Sequence, residues 1–280
     1  MKFGLFVPNA GPFGDPGALV EMALRAEDAG WDGFFMWDML TPVLAPEGPP
    51  HAVDPWVVLA AVAAVTTRIR LGPMITPVAR RSPFKLARET VSLDRLSGGR
   101  LVLGAALGDR PEAEFTPFGE EADARIRAEK LDEGLEILSR LWLGEETTFS
   151  GRHFQVRGAV FLPRPAQEPR IPIWVGGHWP NLRPVRRAAR WDGMFALADR
   201  TLRPEDYREL TAMVAAEAGD TSGWDLVHAA RPADRPSDRR IDADEVARYE
   251  ASGVTWWFEM FWPAGGTAAA LERAARGPLE

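Results

Sequence analysis

The sequence predicts an α/β fold, a single (β/α)8 TIM barrel over residues 1–280 with a hairpin insertion between its fourth and fifth strands. Three observations lead there. Eight short β-rich runs, residues 3–7, 33–37, 69–76, 100–106, 171–175, 193–198, 225–230 and 254–259, are separated mostly by alanine- and leucine-rich stretches with helical spacing. Runs one to four, and again six to eight, begin roughly 30 to 36 residues apart, which is the length of a strand plus its returning helix in a parallel sheet. The one longer gap carries a strand-turn-strand pattern of its own, TTFSGRHFQV. Units of this length favour a closed barrel over a doubly wound sheet, and no linker divides the chain.

Each element has a local reason. Run one is followed by Asp15-Pro16, a capping side chain and then a proline at the first helical position, where the missing N–H has no partner to lose. Gly30 closes that helix before run two. Asp54-Pro55 and Ser82-Pro83 start the second and third helices in the same way, and Gly98-Gly99 ends the third before run four. The long helix ahead of the hairpin lines Ile126, Leu131, Leu135, Leu138 and Trp142 along one face. Run five ends at Val175 on Gly176-Gly177, with His178, Trp179 and Pro180 beyond, the proline suiting the first turn of the next helix. Glycines at a strand end either permit a turn or let another group approach the backbone closely. The polar tracts 218–223 and 231–240 read as loops around run seven.

Composition removes several classes of chemistry. A formal charge of -7 argues against a nucleic-acid partner, which would require a basic face. The chain has no cysteine, so disulfides, thiolate nucleophiles and cysteine-bound metals are absent. No export signal is visible, and the longest apolar run, residues 56–65, is about half of the roughly 20 residues needed to span a membrane. A cytoplasmic protein acting on a small molecule is the expectation. His51, His153, His178 and His228 have no metal-site spacing. Lys85 and Lys130 fall on predicted helices, away from the strand ends where a Schiff-base lysine would act.

In a barrel the site lies at the C-terminal ends of the strands, where the sequence puts Asn9, Asp38, Thr76, Asp109, His178, Asp199, Arg231 and Glu259. Asp38, Asp109 and Glu259 are the candidate proton handlers, and because two of them could form a carboxylate pair they also keep a glycosidase open. Trp37, Met39, Trp179, Phe261 and Trp262, with Met74 and Ile75, supply an aromatic and apolar wall suited to a planar heterocycle. The substrate pocket is expected from Trp37, Met39 and Trp262.

Taken together and in order, MKFGLFVPN, AEDAGWDGFFMWDML, the segment from DPWVVLAAVAAV to LVLGAALGD, and LPRPAQEPRIPIWVGG resemble the luciferase-like flavin-dependent oxidoreductases, with a looser echo at GVTWWFEMF. The resemblance implies a TIM barrel that uses coenzyme F420 or, alternatively, FMN, the wording of the motifs lying closer to the F420 branch. It implies that Asp38 lies at or beside the coenzyme ring, while Met39 stands where the family's WDH triplet has a histidine. It implies a bulge with a non-prolyl cis peptide in GPMITP, putting Pro73, Met74, Ile75 and Thr76 behind the ring, and it brings Gly108 and Asp109 near coenzyme or substrate. Gly176, Gly177, His178 and Trp179 would meet the coenzyme's side chain and phosphate. Arg80, Arg81, Arg183, Arg186, Arg187 and Arg190 could face the polyglutamate tail that only F420 carries. The expected activity is hydride transfer between F420 and a small organic substrate. An FMN-dependent monooxygenase and a barrel that holds its coenzyme without turnover are the alternatives. Relatives commonly dimerise, and PWVVLAAVAAV is apolar enough to serve a homodimer contact.

Overall fold

The computed structural model describes residues 1–41, 51–229, 242–261 and 266–279. Among them run strands β1 (Lys2–Val7), β2 (Gly33–Met36), β3 (Arg70–Pro73), β4 (Thr76–Pro77), β5 (Leu103–Ala106), β6 (Thr147–Ser150), β7 (Gln155–Ala159), β8 (Ile173–His178), β9 (Gly193–Leu197), β10 (Asp225–Ala229) and β11 (Trp256–Met260). The helices are α1 (Pro16–Asp28), α2 (Pro55–Val65), α3 (Pro83–Leu96), α4 (Pro111–Glu114), α5 (Ala124–Leu141), α6 (Leu182–Ala188), α7 (Pro204–Ala218), α8 (Ala243–Glu250) and α9 (Thr267–Ala274).

The main sheet is wholly parallel, in the order β3-β2-β1-β11-β10-β9-β8-β5-β4. Its two ends are one barrel strand. β3 pairs with β2 and β4 pairs with β5, and only Met74 and Ile75 separate them, so the third predicted run is a strand broken in two. Leu71 on β3 exchanges backbone bonds with Arg100 and Val102, which closes the barrel below the break. The Met74–Ile75 peptide is cis, at the place the GPMITP motif implies. β6 and β7 form the antiparallel hairpin between the fourth and fifth barrel strands, as the sequence predicts.

The predicted helix starts hold in detail. Asp15 accepts from the N–H of Gly17, Asp54 from Trp56 and Val57, and Ser82 from Lys85, each ahead of a proline at N1. Run five differs: β8 continues through both glycines to His178, in register with Gly193–Leu197. The next helix then starts at Leu182 with Asn181 as its cap, and Pro180 lies outside it after a cis bond to Trp179.

Alternation along the strands builds two cores. Phe6, Phe35, Met74, Val102, Trp174, Phe195, Val227, Trp256 and Phe258 fill the barrel interior with contacting rings. Opposite residues such as Leu5, Phe34, Val175, Met194 and Trp257 face the helix layer. Each fully buried aromatic contributes about 1.5 to 3 kcal/mol relative to exposure, so the interior is a packed core and not a pore.

Candidate functional site

Above that interior, at the C-terminal end of the strands, Trp37, Ile75, Leu197, Ala229 and Met260 pack onto the aromatic cluster while remaining partly exposed. They come from five barrel strands and carry no charge. Together they form an apolar floor at the mouth. Sequence reasoning reached Trp37 and Ile75. It missed Leu197, Ala229 and Met260, because their only signal is inward parity at the last strand position.

Beside the floor lies a buried ionic network. The Asp38 carboxylate, its side chain 3% exposed, accepts from Thr76 Oγ1 at 2.9 Å and Trp56 Nε1 at 3.2 Å, and from Arg81 Nη2 at 2.9 and 2.8 Å. Arg81 also lies over the Trp56 ring. Arg80, 8% exposed, donates to the Asp38 carbonyl at 3.3 Å and pairs with Glu114. Glu114 in turn accepts from the N–H groups of Leu40 at 2.8 Å and Thr41 at 2.7 Å. Burial alone would raise the Glu114 carboxyl, but those two N–H groups and Arg80 outweigh it and hold the pKa below its ordinary 4.5. Two arginines and two carboxylates thus compensate one another in a largely buried site.

This arrangement revises several expectations. Arg80 and Arg81 are engaged by carboxylates of the chain itself, Arg80 by Glu114 and Arg81 by Asp38. Of the other arginines, Arg187 and Arg190 pair with Asp132, and Arg186 with Glu217. Thr76 is turned to Asp38, Met74 belongs to the barrel interior, and the Pro73 carbonyl packs where a side chain on Gly104 would sit. Of that motif, Ile75 alone joins the floor. Asn9 is buried and structural, donating to the carbonyls of Met39 at 2.8 Å and Val53 at 2.9 Å. Its amide oxygen accepts from the Met39 N–H, so Met39 is fixed through its backbone at the edge of the mouth.

Glu259 does not reach the mouth. Its neighbours Phe258 and Met260 face inward, whereas Glu259 points with Trp257 and Phe261 to the helix layer and pairs with Arg273 of α9. Trp179 likewise packs in the helix layer, where it bonds Asp206 of α7. Trp262 and Arg231 lie outside the described residues. Asp109 is exposed in the loop after β5 and accepts from the Arg110 N–H. Arg127 of α5 fixes this loop by donating to the carbonyls of Leu107 and Gly108, both at 3.0 Å. Gly108 has φ +82°, and a side chain there would meet the Phe115 ring.

The two glycines of β8 serve close packing within the protein. A Cβ on Gly176 would stand 2.1 Å from Ile75 Cδ1, and one on Gly177 would stand 2.1 Å from Pro184 Cβ of α6. Gly176 therefore lets Ile75 lie across β8 as part of the floor, and Gly177 lets α6 approach from outside. His178, the next inward position, is exposed at the rim.

Among the described residues, no group of three or more histidines and carboxylates is placed to hold a metal ion, and no helix is long and apolar enough to cross a membrane. The residues at the mouth fit a flavin or deazaflavin ring: the floor is apolar and open, and its base is sealed by packed aromatics.

The sequence profile of the luciferase-like monooxygenase family matches residues 1–276. The chain is 32% identical over 181 residues to an F420-dependent glucose-6-phosphate dehydrogenase of Microbacterium testaceum, a match covering 64% of this chain and 52% of that protein. It spans about half the length of the curated relatives it matches. Among solved structures it is similar to an F420-dependent secondary alcohol dehydrogenase bound to an F420-acetone adduct, with TM-score 0.76, 18% identity and coverage of 98% and 99% of the two chains. It is also similar to the monooxygenase RslO1 of Streptomyces bottropensis, with TM-score 0.68, 26% identity and coverage of 99% of this chain and 78% of the other.

Proposed function

The chain belongs to the luciferase-like monooxygenase family, and on that premise we propose that it is an oxidoreductase transferring a hydride between coenzyme F420 and a small organic substrate. The observation that carries this reading is the uncharged floor of Trp37, Ile75, Leu197, Ala229 and Met260 over a filled barrel. Such a surface holds one face of a planar ring dry and leaves the other open to a substrate. The F420-dependent relatives at 32% and 33% identity support the choice of coenzyme.

When bound, the coenzyme supplies or accepts the hydride. The chain's own part is to seat the ring on the floor and exclude water beneath it. The Asp38 network braces the wall formed by residues 37–41, and Asp109 stands in the adjoining loop. With four side chains donating to it, Asp38 acts here as a positioning residue for that wall. The FMN-dependent monooxygenase is the second reading; the 26% identity to the monooxygenase RslO1 over nearly the whole chain supports its monooxygenase part. A homodimer through α2 is part of the proposal.

Titrating F420 and FMN separately with the purified protein, following coenzyme fluorescence, tests the reading. Binding of F420 at least about tenfold tighter than FMN, a difference of about 1.4 kcal/mol, is the expected result. Tighter FMN binding moves the protein to the oxygen-using branch, and binding of neither overturns both readings.

A further inference from the structure

Glu114 enters no expectation drawn from the sequence, yet three successive βα loops of the mouth meet on its carboxylate. The loop after β2 reaches it through the N–H groups of Leu40 and Thr41, which donate to Oε2 and Oε1. The Thr41 hydroxyl closes the same contact, donating to the Ala113 carbonyl at 2.6 Å and to Glu114 Oε1 at 3.2 Å. The segment after β4 reaches it through Arg80 Nη1, which donates to Oε2. The loop after β5 leads directly into α4, which carries it. Glu114 is 4% exposed, so these donors converge on a buried carboxylate, where charge-assisted bonds are strong. The third loop is also held in an unfavourable shape. Arg110 has φ 46°, a left-handed backbone that favours glycine and persists only where its surroundings over-determine it. They do so here: Arg127 holds the carbonyls of Leu107 and Gly108. The buried Phe115 ring abuts Gly108, with the guanidinium groups of Arg80 and Arg127 at 5.7 and 4.6 Å from its centre.

We propose that Glu114 is a positioning residue that joins these three loops into one preformed wall, so that residues 37–41 and the loop bearing Gly108 and Asp109 are ordered before the coenzyme binds. The inference rests on the reading of the mouth as a coenzyme seat. A wall already ordered loses less conformational entropy on binding than one the ligand must order, so Glu114 acts on affinity without touching the coenzyme. Glutamine at this position keeps the shape of the side chain. It leaves one oxygen where two now serve the loop donors, and it turns an amide instead of a carboxylate to Arg80. Glu133 of α5 supplies a matched control, because it accepts the N–H groups of Arg152, His153 and Phe154 in the same manner but serves the hairpin.

The test compares backbone amide hydrogen exchange in the whole protein, without coenzyme, for wild type, Glu114→Gln and Glu133→Gln. The affinity of each for F420 and for FMN is read separately from coenzyme fluorescence. In Glu114→Gln we expect exchange to accelerate together at residues 38–41 and 107–115. The coenzyme that wild type takes should bind this variant about tenfold or more weaker, and at saturation it should restore the wild-type protection of both stretches. Glu133→Gln should accelerate exchange at residues 151–154 and bind within about twofold of wild type. Acceleration at residues 38–41 alone, or unchanged affinity in Glu114→Gln, overturns the inference and leaves the coenzyme reading standing. If Glu114→Gln does not fold, Thr41→Val carries the test by removing a single hydroxyl: about threefold weaker binding is expected, and binding equal to wild type overturns the inference. Wild-type protein that binds neither coenzyme removes the underlying reading and the inference with it.

Discussion

At the scale of single residues, Asp38 shows how one side chain can be conspicuous in a sequence for a reason other than the one it suggests. The WDM triplet marks it as a group beside the coenzyme ring, and its position after the second strand holds. What surrounds it is a set of donors: Thr76, Trp56, Arg81 and, at the margin, Arg80. A buried carboxylate persists only when its oxygens are satisfied, and the nearest cations in sequence, Arg80 and Arg81, are held by it for that reason. Replacing Asp38 with alanine leaves Arg81 without its carboxylate partner and weakens the seat of Arg80. We expect Asp38→Ala to lose about 3 to 5 kcal/mol, read as a lower midpoint in urea unfolding. A loss below about 1 kcal/mol would show that the network is solvated and not a brace.

Between elements, the floor depends on one strand passing close to the break in another. Ile75 lies across β8 because Gly176 has no side chain, and Gly104 on β5 accommodates Pro73 and Met74 in the same way. Gly176→Ala puts a methyl group 2.1 Å from Ile75 Cδ1, so the Ile75 side chain must leave its place. We expect a cost of about 1 to 3 kcal/mol and weaker coenzyme binding. Ile75→Val removes the Cδ1 atom, so the double variant should recover most of the loss, with a coupling of about 1 kcal/mol or more in a thermal-unfolding cycle. Additive effects would show that the two residues do not share this contact. The run of apolar residues from 69 to 76 was readable as a strand, and its glycine and proline as irregularity. That the irregularity splits the strand into two pairing segments follows only when both neighbours, β2 and β5, are in place.

For the whole molecule, the outer surface of α2 carries the homodimer proposal. Val57 is 71% exposed and Val65 46%, with Ala61 and Ala64 exposed on the same helix, which has no charged residue. We expect wild-type protein to sediment as a dimer and the Val57→Glu, Val65→Glu variant as a monomer, with its barrel intact by circular dichroism. A wild-type monomer at micromolar concentration would remove the proposal.

The sequence by itself determined the order of strands and helices, the helix starts at Asp15, Asp54 and Ser82, the hairpin insertion and the family. These rest on periodicity and capping within a few residues, and on motifs in a fixed order. Only the tertiary structure decided which strand-end residues face the mouth and which face the helices. Parity along a strand is set by its register with neighbours, and a strand that runs two or three residues past its predicted end changes which side chains the mouth receives. Extending β8 through Gly176 and Gly177 sets His178 at the rim and Trp179 against α7, while the parity of β11 sends Glu259 to Arg273 and gives Met260 to the floor. The pairing of Arg80 and Arg81 is not legible in the sequence, because the carboxylates that neutralise them, 34 to 43 positions away, meet them only in the closed barrel.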